Sequence, residues 1–181
     1  RASVQTGFRN PTTQDQYIGL DAGSAILMGS APDNLDRYTS TPLNVSTAGQ
    51  GILGSATTTL SGRLAYENSF AASSVLAGAP EASSAPLVKP EEVTAFELGY
   101  RGLINAGDSR ITLDVSAYYN QYSDFISAKN VLVPFYGTVG DNALSLLALQ
   151  NGDFKAFQVY TNTTADINSY GASLGLNTKI F

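Results

Sequence analysis

Apolar and polar side chains alternate strictly along residues 110–120, which read RITLDVSAYYN. Every second side chain lies on one side, and that side carries no charge. The other side carries Arg110 and Asp114. Period-two alternation over a run of this length predicts a β-strand with one apolar face. The apolar positions are Ile111, Leu113, Val115, Ala117 and Tyr119.

Three further stretches alternate in the same way, and together they predict four antiparallel strands. The strands are expected near residues 1–9, 93–102, 110–125 and 157–181, with the clearest alternation of the last one over 169–180. Over residues 1–9, 93–102, 110–120 and 169–180 the apolar side is free of charge. The charged residues of the four runs all fall on the opposite side: Arg1, Arg9, Glu97, Arg101, Arg110, Asp114 and Lys179.

Alternation alone fits two kinds of sheet. A soluble antiparallel sheet has one wet face, whereas a membrane barrel turns its apolar face to lipid. Strand length favours the barrel, because soluble strands average about five or six residues. Aromatic placement also favours it, since aromatic belts flank a membrane-spanning band. Tyr118, Tyr119, Tyr122 and Phe125 cluster at one end of the third run, and Tyr100 and Phe181 lie toward the opposite end of theirs.

The connections between the runs are very unequal. Between Arg101 and Arg110 the chain contains NAGD, which is tight-turn chemistry. In contrast, residues 10–88 and 126–156 form two long connections. Long loops of this kind are unusual in compact soluble domains, whereas short turns on one side and long loops on the other are typical of outer-membrane barrels.

The long connections contain their own structural signals. Residues 141–153 predict a short helix capped by Asp141 or Asn142, with Leu144, Leu147 and Ala148 as its apolar stripe. Residues 63–80 suggest a second helix that stops at Gly78 and Pro80, and residues 49–55 read as a flexible glycine-rich loop. The aromatic residues of PFYGTVG either grip a ligand or form a small core of the loops themselves. The two connections are expected to fold onto each other.

Composition excludes several function classes. The chain has no cysteine and no histidine, so disulfides, the usual zinc sites, cysteine nucleophiles and Ser-His-Asp triads are excluded. A net charge of −5 without a Lys/Arg cluster argues against a nucleic-acid partner. Glu97 and Asp114 could form a carboxylate pair, but ion pairs with Arg101 and Arg110 explain them more simply. We predict no enzyme and no catalytic, cofactor-binding or metal site; the ligand-binding residues are unknown from sequence.

The ordered elements RASVQTGFRNPT, LVKPEEVTAFELGYRG, LDVSAYYNQYSDFI and NSYGASLGLNTKIF resemble the C-terminal part of the β-barrel of TonB-dependent outer-membrane receptors. Each element alone is weak evidence for the resemblance, but the four elements in this order are specific to the family. The long connections resemble receptors of the Bacteroidetes type. The resemblance implies an all-β fold: an antiparallel transmembrane segment, spanning residues 1–181, of a barrel expected to have 22 strands, with long extracellular loops that contain short helices.

The resemblance also implies a function and partners. The function is active transport of an unidentified nutrient across the outer membrane of a Gram-negative bacterium. The partners are membrane lipid and lipopolysaccharide, the receptor's own plug domain, and the TonB-ExbB-ExbD complex; a surface lipoprotein is a further one. The plug is not in this chain, so we expect a partial barrel that opens in mid-strand at Arg1 and ends near the periplasmic rim at Phe181.

Two alternatives stay open at the level of sequence. One is a soluble β-rich ligand-binding module, and the other is a passive porin or an adhesin-type barrel. A soluble module would not need detergent, and a porin would lack a plug.

Overall fold

A computed structural model of the chain describes residues 1–180, with the side chains of all of them except Ala106, Asn142 and Ile180. The chain divides into two compact units, and both are discontinuous in sequence. Unit 1 consists of Arg1–Asn10, Pro90–Phe125 and the stretch from Thr163 onward. Unit 2 consists of Pro11–Lys89 and Ile126–Asn162. The predicted rim position of Phe181 lies outside the described residues.

The described residues form a mainly β structure with short helices. Its elements are β1 (Ala2–Arg9), α1 (Thr13–Tyr17), β2 (Gly19–Asp21), β3 (Ile26–Met28), α2 (Pro32–Arg37), β4 (Leu43–Asn44), α3 (Thr47–Leu53), β5 (Thr57–Thr58), α4 (Leu64–Glu67), β6 (Phe70–Ala71), α5 (Ala72–Leu76), β7 (Glu91–Ala106), β8 (Ser109–Ser123), β9 (Ile126–Pro134), α6 (Asn142–Gln150), β10 (Phe154–Asn162) and β11 (Ile167–Ile180).

Unit 1 is an antiparallel sheet with the strand order β1-β7-β8-β11. The predicted pairing of residues 93–102 with 110–120 is confirmed, because the β7–β8 ladder runs from Glu92↔Ser123 to Ala106↔Ser109. The two strands are joined by Gly107 and Asp108, and Gly107 adopts a φ of 57°. Two-residue hairpin loops require such a backbone and favour glycine there.

All the long connections leave unit 1 at the end of the sheet opposite this turn. Arg9, the last residue of β1, pairs with Glu91, the first residue of β7. At the same end β8 finishes and β11 begins, with Tyr122 opposite Ile167. Within the described residues the sheet is open, with β1 and β11 at its edges, and it does not close into a barrel.

One predicted strand was wrong. The strand expected near 110–125 is present as β8 and ends at Ser123, because Asp124 adopts a left-handed φ of 55° and breaks the ladder. The strand expected over 157–181 is two strands, β10 and β11, which belong to different sheets. Between them the Thr163 hydroxyl accepts a hydrogen bond from the Ala165 amide, a local turn that competes with an extended ladder.

Unit 2 is built around a five-stranded sheet with the order β2-β3-β10-β9-β6. Strand β3 comes from the first long connection and pairs in parallel with β10 from the second. The expectation that the two connections fold onto each other is therefore confirmed. Their shared core contains these residues: Ile26, Met28, Leu35, Leu60, Ala65, Ala85, Val131, Val133, Phe157 and Val159.

The predicted helix within residues 141–153 is present as α6, but its details differ from the prediction. Asp141 occupies the N-cap position without a capping hydrogen bond from its side chain, and the side chain of Asn142 lies outside the description. Of the predicted apolar stripe only Ala148 is buried, while Leu144 and Leu147 are 41% and 37% exposed. Helix α6 instead buries the small residues Ser145 and Ala148.

Of two other predictions for the connections, one was wrong and one is confirmed in part. Residues 49–55 do not form a flexible loop, because most of them lie in α3, whose N-cap Ser46 accepts a hydrogen bond from the Gly49 amide. The helix expected within residues 63–80 is present as α5, which ends just before Gly78, where the backbone turns left-handed with a φ of 78°. Residues 64–67 form the separate helix α4, because its C-cap Asn68 leaves helical geometry and bonds to Gly137 and Val139. None of the helices in residues 1–180 is long and apolar enough to cross a membrane.

Candidate functional site

The sheet of unit 1 has one apolar face that runs in phase across all four strands. The ladders place Leu98 opposite Ala117, and Ala117 opposite Ala172. Further along, Tyr100, Val115 and Leu174 form the next row. A one-residue slip in any ladder would move a whole strand's apolar set to the other face. The pairing therefore brings the four separate sequence patterns together into one continuous surface.

This apolar face has no protein layer over it within unit 1. Leu98 and Tyr100 are 64% and 63% exposed, although they lie on the inner strand β7, and Leu174 and Leu176 on the edge strand β11 are 74% and 69% exposed. Large contiguous apolar surfaces of this kind mark sites that contact lipid or a partner. The surface is formed by the following residues: Val4, Phe96, Leu98, Tyr100, Ile104, Ile111, Leu113, Val115, Ala117, Tyr119, Tyr170, Ala172, Leu174 and Leu176.

An aromatic row borders the apolar face near the end where the long connections leave. Phe96, Tyr119 and Tyr170 lie side by side on β7, β8 and β11, and the rings of Phe96 and Tyr119 are 6.3 Å apart. The Tyr119 hydroxyl donates a hydrogen bond to Asn168 at 2.9 Å, in the adjoining row, which is entirely polar. That row consists of Thr6, Thr94, Gln121 and Asn168.

Side chains that are apolar at the ring and polar at the tip suit the boundary between hydrocarbon and water. The apolar band beyond that boundary runs from Tyr119 to Ile111, eight steps of about 3.3 Å each. With the strand tilt of about 40° found in membrane barrels, it would span roughly 20 Å, close to their apolar band of about 25 Å. The aromatic belt predicted from the sequence is only partly reproduced, because Tyr118 and Tyr122 lie on the opposite face of β8 from Tyr119 and do not border the apolar face.

The opposite face of the sheet is polar and bonded across its strands. The hydroxyls of Ser116 and Ser173 are 2.7 Å apart, and Gly99 completes their row. Next to this row, Arg101 Nε lies 3.4 Å from Asp114 Oδ2. All the charged residues predicted to avoid the apolar side do so.

The carboxylate pair considered from the sequence is not brought together. Glu97 lies opposite Tyr118, whereas Asp114 lies opposite Arg101, four residues further along β7. That separation corresponds to about 13 Å at the usual rise of a strand. Glu97 accepts a hydrogen bond from Ser3, and Asp114 pairs with Arg101. The ion-pair interpretation is supported for Asp114, and an acid/base dyad is not.

Unit 2 contains a buried carboxylate that the sequence analysis missed. Asp153 is only 1% exposed and lies three residues after Gln150, the last residue of α6. Its carboxylate accepts hydrogen bonds from the Ser46 amide and hydroxyl, both at 2.7 Å, and from the Tyr136 hydroxyl at 2.9 Å. Gly49 leaves room for it, since a Cβ there would collide with the Asp153 carboxylate.

The hydrogen bonds of this cluster favour the ionised form of Asp153. Burial by itself would raise the pKa of Asp153, but the hydrogen bonds from Ser46 and Tyr136 outweigh it, and the net pKa is below the ordinary value. Burial raises the pKa of Tyr136, and the neighbouring carboxylate of Asp153 raises it further. Tyr136 therefore stays protonated and donates its hydrogen bond.

The aromatic residues of PFYGTVG have a structural role. Tyr136 is buried on Asp153, and Phe135 packs against the core of unit 2. Of the two interpretations left open by the sequence, a small core of the loops is supported for this pair. In the second long connection, the exposed leucines lie instead on α6, at Leu144 and Leu147.

Comparison with known proteins gives one match. The family model for the β-barrel of TonB-dependent receptor-like proteins matches residues 1–180. No curated protein and no solved structure matches the chain. The family comprises β-barrel receptors of the Gram-negative outer membrane, which are transporters and not enzymes. The in-phase apolar face, its aromatic border and the family match lead to one conclusion: this chain belongs to the TonB-dependent receptor β-barrel family.

Proposed function

We propose that the chain forms part of the wall of a TonB-dependent transporter that takes up a nutrient through the outer membrane. The apolar face of the unit 1 sheet contacts membrane lipid and lipopolysaccharide, and the polar face lines the interior of a 22-stranded barrel. The observation that carries the proposal is the single uncharged surface, shared by four strands, on which Leu174 and Leu176 are exposed without a covering layer. In the bilayer such a surface is buried against the hydrocarbon chains of the lipid.

Unit 2 is proposed to be exposed at the cell surface and to capture the ligand. The support is topological, because both of its segments leave the sheet at the end opposite the tight turn, and outer-membrane barrels have short periplasmic turns and long extracellular loops. Its fold supplies a rigid scaffold, which is where binding residues are usually placed. The outward leucines of α6, Leu144 and Leu147, are the candidate contact positions.

Transport would use the partners typical of the family. A plug domain closes the barrel, TonB-ExbB-ExbD supplies energy from the inner membrane, and a surface lipoprotein assists capture in receptors of the Bacteroidetes type. The soluble-module alternative is not favoured, because it would leave the apolar face of the sheet in water. A porin is not favoured either, because the family match is to active receptors.

The proposed topology is directly testable by cysteine labelling, because these 181 residues contain no cysteine that would react in addition. Single cysteines are introduced into the full-length receptor at Ala79, in unit 2, and at Asp108, in the β7–β8 turn; both positions are exposed. With a membrane-impermeant maleimide on intact cells, Ala79→Cys should be labelled at once, and Asp108→Cys only after the outer membrane is permeabilised. Labelling in the reverse order would refute the orientation. Recovery of the receptor in the soluble fraction would refute the function.

A further inference from the structure

The chain contains a single asparagine–glycine step, Asn151–Gly152, which lies immediately after α6. Asparagine is a chemically labile residue, and it loses its side-chain amide most readily when glycine follows. Glycine has no Cβ, so nothing hinders the attack of its backbone nitrogen on the asparagine Cγ. Asn151 is half-buried and Gly152 is exposed, so water can reach the step. The step is therefore reactive unless the fold keeps the two groups apart.

The end of α6 keeps the backbone nitrogen of Gly152 away from this attack. The helix ends in a Schellman motif, in which the Gly152 amide donates to the Leu149 carbonyl at 3.2 Å. The Asp153 amide donates to the Ala148 carbonyl at 2.8 Å, and Gly152 has the left-handed φ of 75° that the motif requires. Asn151 has a helical ψ of −5°, whereas ring closure needs a more extended backbone there. Attack therefore requires the last turn of α6 to open.

The side chain of Asn151 is held as well. Its Nδ2 donates a hydrogen bond to the Tyr136 hydroxyl at 2.9 Å, and this hydroxyl donates to the buried carboxylate of Asp153 at 2.9 Å. A phenol has one proton, and here that proton is committed to Asp153. The Tyr136 oxygen can therefore only accept a hydrogen bond from residue 151, so an amide fits this position and a carboxylate does not.

From this arrangement we infer that Asn151–Gly152 is a self-modification site, which converts to aspartate or isoaspartate when the end of α6 opens and then prevents the native contacts from re-forming. The Gly152 nitrogen forms a bond to Asn151 Cγ, the Cγ–Nδ2 bond breaks, and ammonia leaves with the proton that the Gly152 amide gives up. Water then opens the succinimide at one of its two carbonyls. Opening at Cγ gives aspartate, and opening at the main-chain carbonyl gives isoaspartate.

Both products remove the contacts that protect the asparagine. Aspartate places a second carboxylate beside the Tyr136 hydroxyl, whose single proton cannot serve both this group and Asp153, and like charges in one site repel. Isoaspartate adds a methylene to the main chain and shifts the two amides of the Schellman motif away from their carbonyls. Because Asp153 also binds Ser46, the loosening reaches both sequence segments of unit 2. The reaction is therefore one-way and limits the lifetime of the native unit 2.

Peptide mapping of the full-length receptor measures the reaction. The detergent-solubilised receptor is incubated at mildly alkaline pH, which favours loss of the Gly152 amide proton, and is then digested in acid. Mass spectrometry follows the fraction of aspartate and isoaspartate at position 151. The same receptor unfolded in guanidinium chloride gives the unprotected rate. We expect the folded receptor to react at least about tenfold more slowly, because several hydrogen bonds have to open first. Equal rates would overturn the inference.

The role of Tyr136 is tested in the folded receptor. Tyr136→Phe removes the oxygen that holds the Asn151 amide and should accelerate the reaction several-fold. The matched control is Ser46→Ala, which also deprives Asp153 of one hydroxyl donor but leaves the contact between Tyr136 and Asn151 in place. It should accelerate the reaction much less. The same rate in both variants would reduce Tyr136 to a general stabilising role and refute its protection of Asn151.

The consequence of the modification is tested by making the product directly. Asn151→Asp should lower the hydrogen-exchange protection factors of the α6 amides. Asn130→Asp adds the same charge at an exposed position and keeps the side-chain oxygen that accepts a hydrogen bond from Gln158, so it should leave them unchanged. Equal protection in the two variants would contradict the one-way effect. These measurements do not use transport, whereas failure of the proposed function would appear as a receptor missing from the outer-membrane fraction.

Discussion

Ser46 donates both its amide and its hydroxyl to the carboxylate of Asp153, although 107 residues separate them in the chain. Ser46 is at the same time the N-cap of α3, while Asp153 follows α6. One buried carboxylate therefore joins the two sequence segments of unit 2, and its removal is expected to affect both.

Asp153→Ala should destabilise unit 2 by at least about 3 kcal/mol, because hydrogen bonds to charged groups contribute about 1.5–3 kcal/mol each and their buried donors would lose them. The measurement is hydrogen exchange of the α6 amides in the detergent-solubilised receptor. The matched control is Asp33→Asn, which removes an exposed ion pair with Arg37 and should change little. Equal exchange in both variants would contradict the structural role of Asp153.

The same cluster should make unit 2 sensitive to acid. Because the pKa of Asp153 is lowered in the folded state, its ionisation stabilises the fold at pH values above the unfolded pKa of about 3.9. That contribution is lost as the pH falls through the lower, folded pKa. The protection factors of the α6 amides, which correct for the slower intrinsic exchange in acid, should therefore fall below about pH 4 in the wild type. In Asp153→Asn this acid-dependent step should be absent, and its persistence would assign it to another group.

The two faces of the sheet should respond very differently to the same charge. Leu174→Arg should destabilise the receptor by about 2–4 kcal/mol, the cost of arginine near the bilayer midplane on a lipid-facing position. Ser173→Arg, one residue earlier on the polar face, should cost much less unless it meets the material inside the barrel. Heat-modifiable gel migration and urea unfolding in lipid vesicles measure both. Comparable losses would argue against lipid contact.

Two glycines of unit 2 provide a matched test of local geometry. Gly29→Ala should destabilise by about 1–3 kcal/mol, since the new Cβ would lie 2.5 Å from the backbone of Gln16, which cannot move aside easily. Gly51→Ala should instead stabilise by about 0.5–1 kcal/mol, because Gly51 lies within α3 and has nothing within 4 Å of its Cβ position. Proteolysis rates of unit 2, measured in the wild type and in the two variants, give the order of their stabilities.

A ligand-binding role of α6 can be tested without disturbing its buried side. Leu144→Asn combined with Leu147→Asn changes only half-exposed positions, so the fold should persist while uptake of the nutrient falls if α6 contacts it. Deletion of residues 141–153 would not separate the two effects, because it also removes Asp153. Unchanged uptake in the double variant would place the binding surface elsewhere.

The parts of the fold that sequence could predict are those with local signatures. The long strands β7 and β8 were predictable because alternation and the turn at Gly107 act over neighbouring residues. Strand β9 was missed because its run is short and lies inside a long connection, and β10 was merged with β11 into one expected strand, although Phe157 and Val159 already alternate with more polar neighbours. The parallel pairing of β3 with β10 has no local signature, since it joins residues far apart in the chain.

The candidate sites divide in the same way. The two faces of the sheet follow from period-two alternation, so their residues could be assigned in advance. The Asp153 cluster could not, because its carboxylate is matched to donors that only the folded chain assembles. The outward position of Leu144 and Leu147 was missed because the small residues Ser145 and Ala148 pack more closely against the protein than leucine would.

The parallel pairing of β3 with β10 also constrains the order in which the protein can assemble. Residues 11–89 emerge first during synthesis, yet the core of unit 2 needs Val131, Val133 and Phe157 from the later segment. Such contacts between distant segments are slow to form, and their apolar partners stay exposed until then. The first segment therefore has to be protected during its passage to the outer membrane, and a polypeptide that stops before β10 would expose half of a core to proteases.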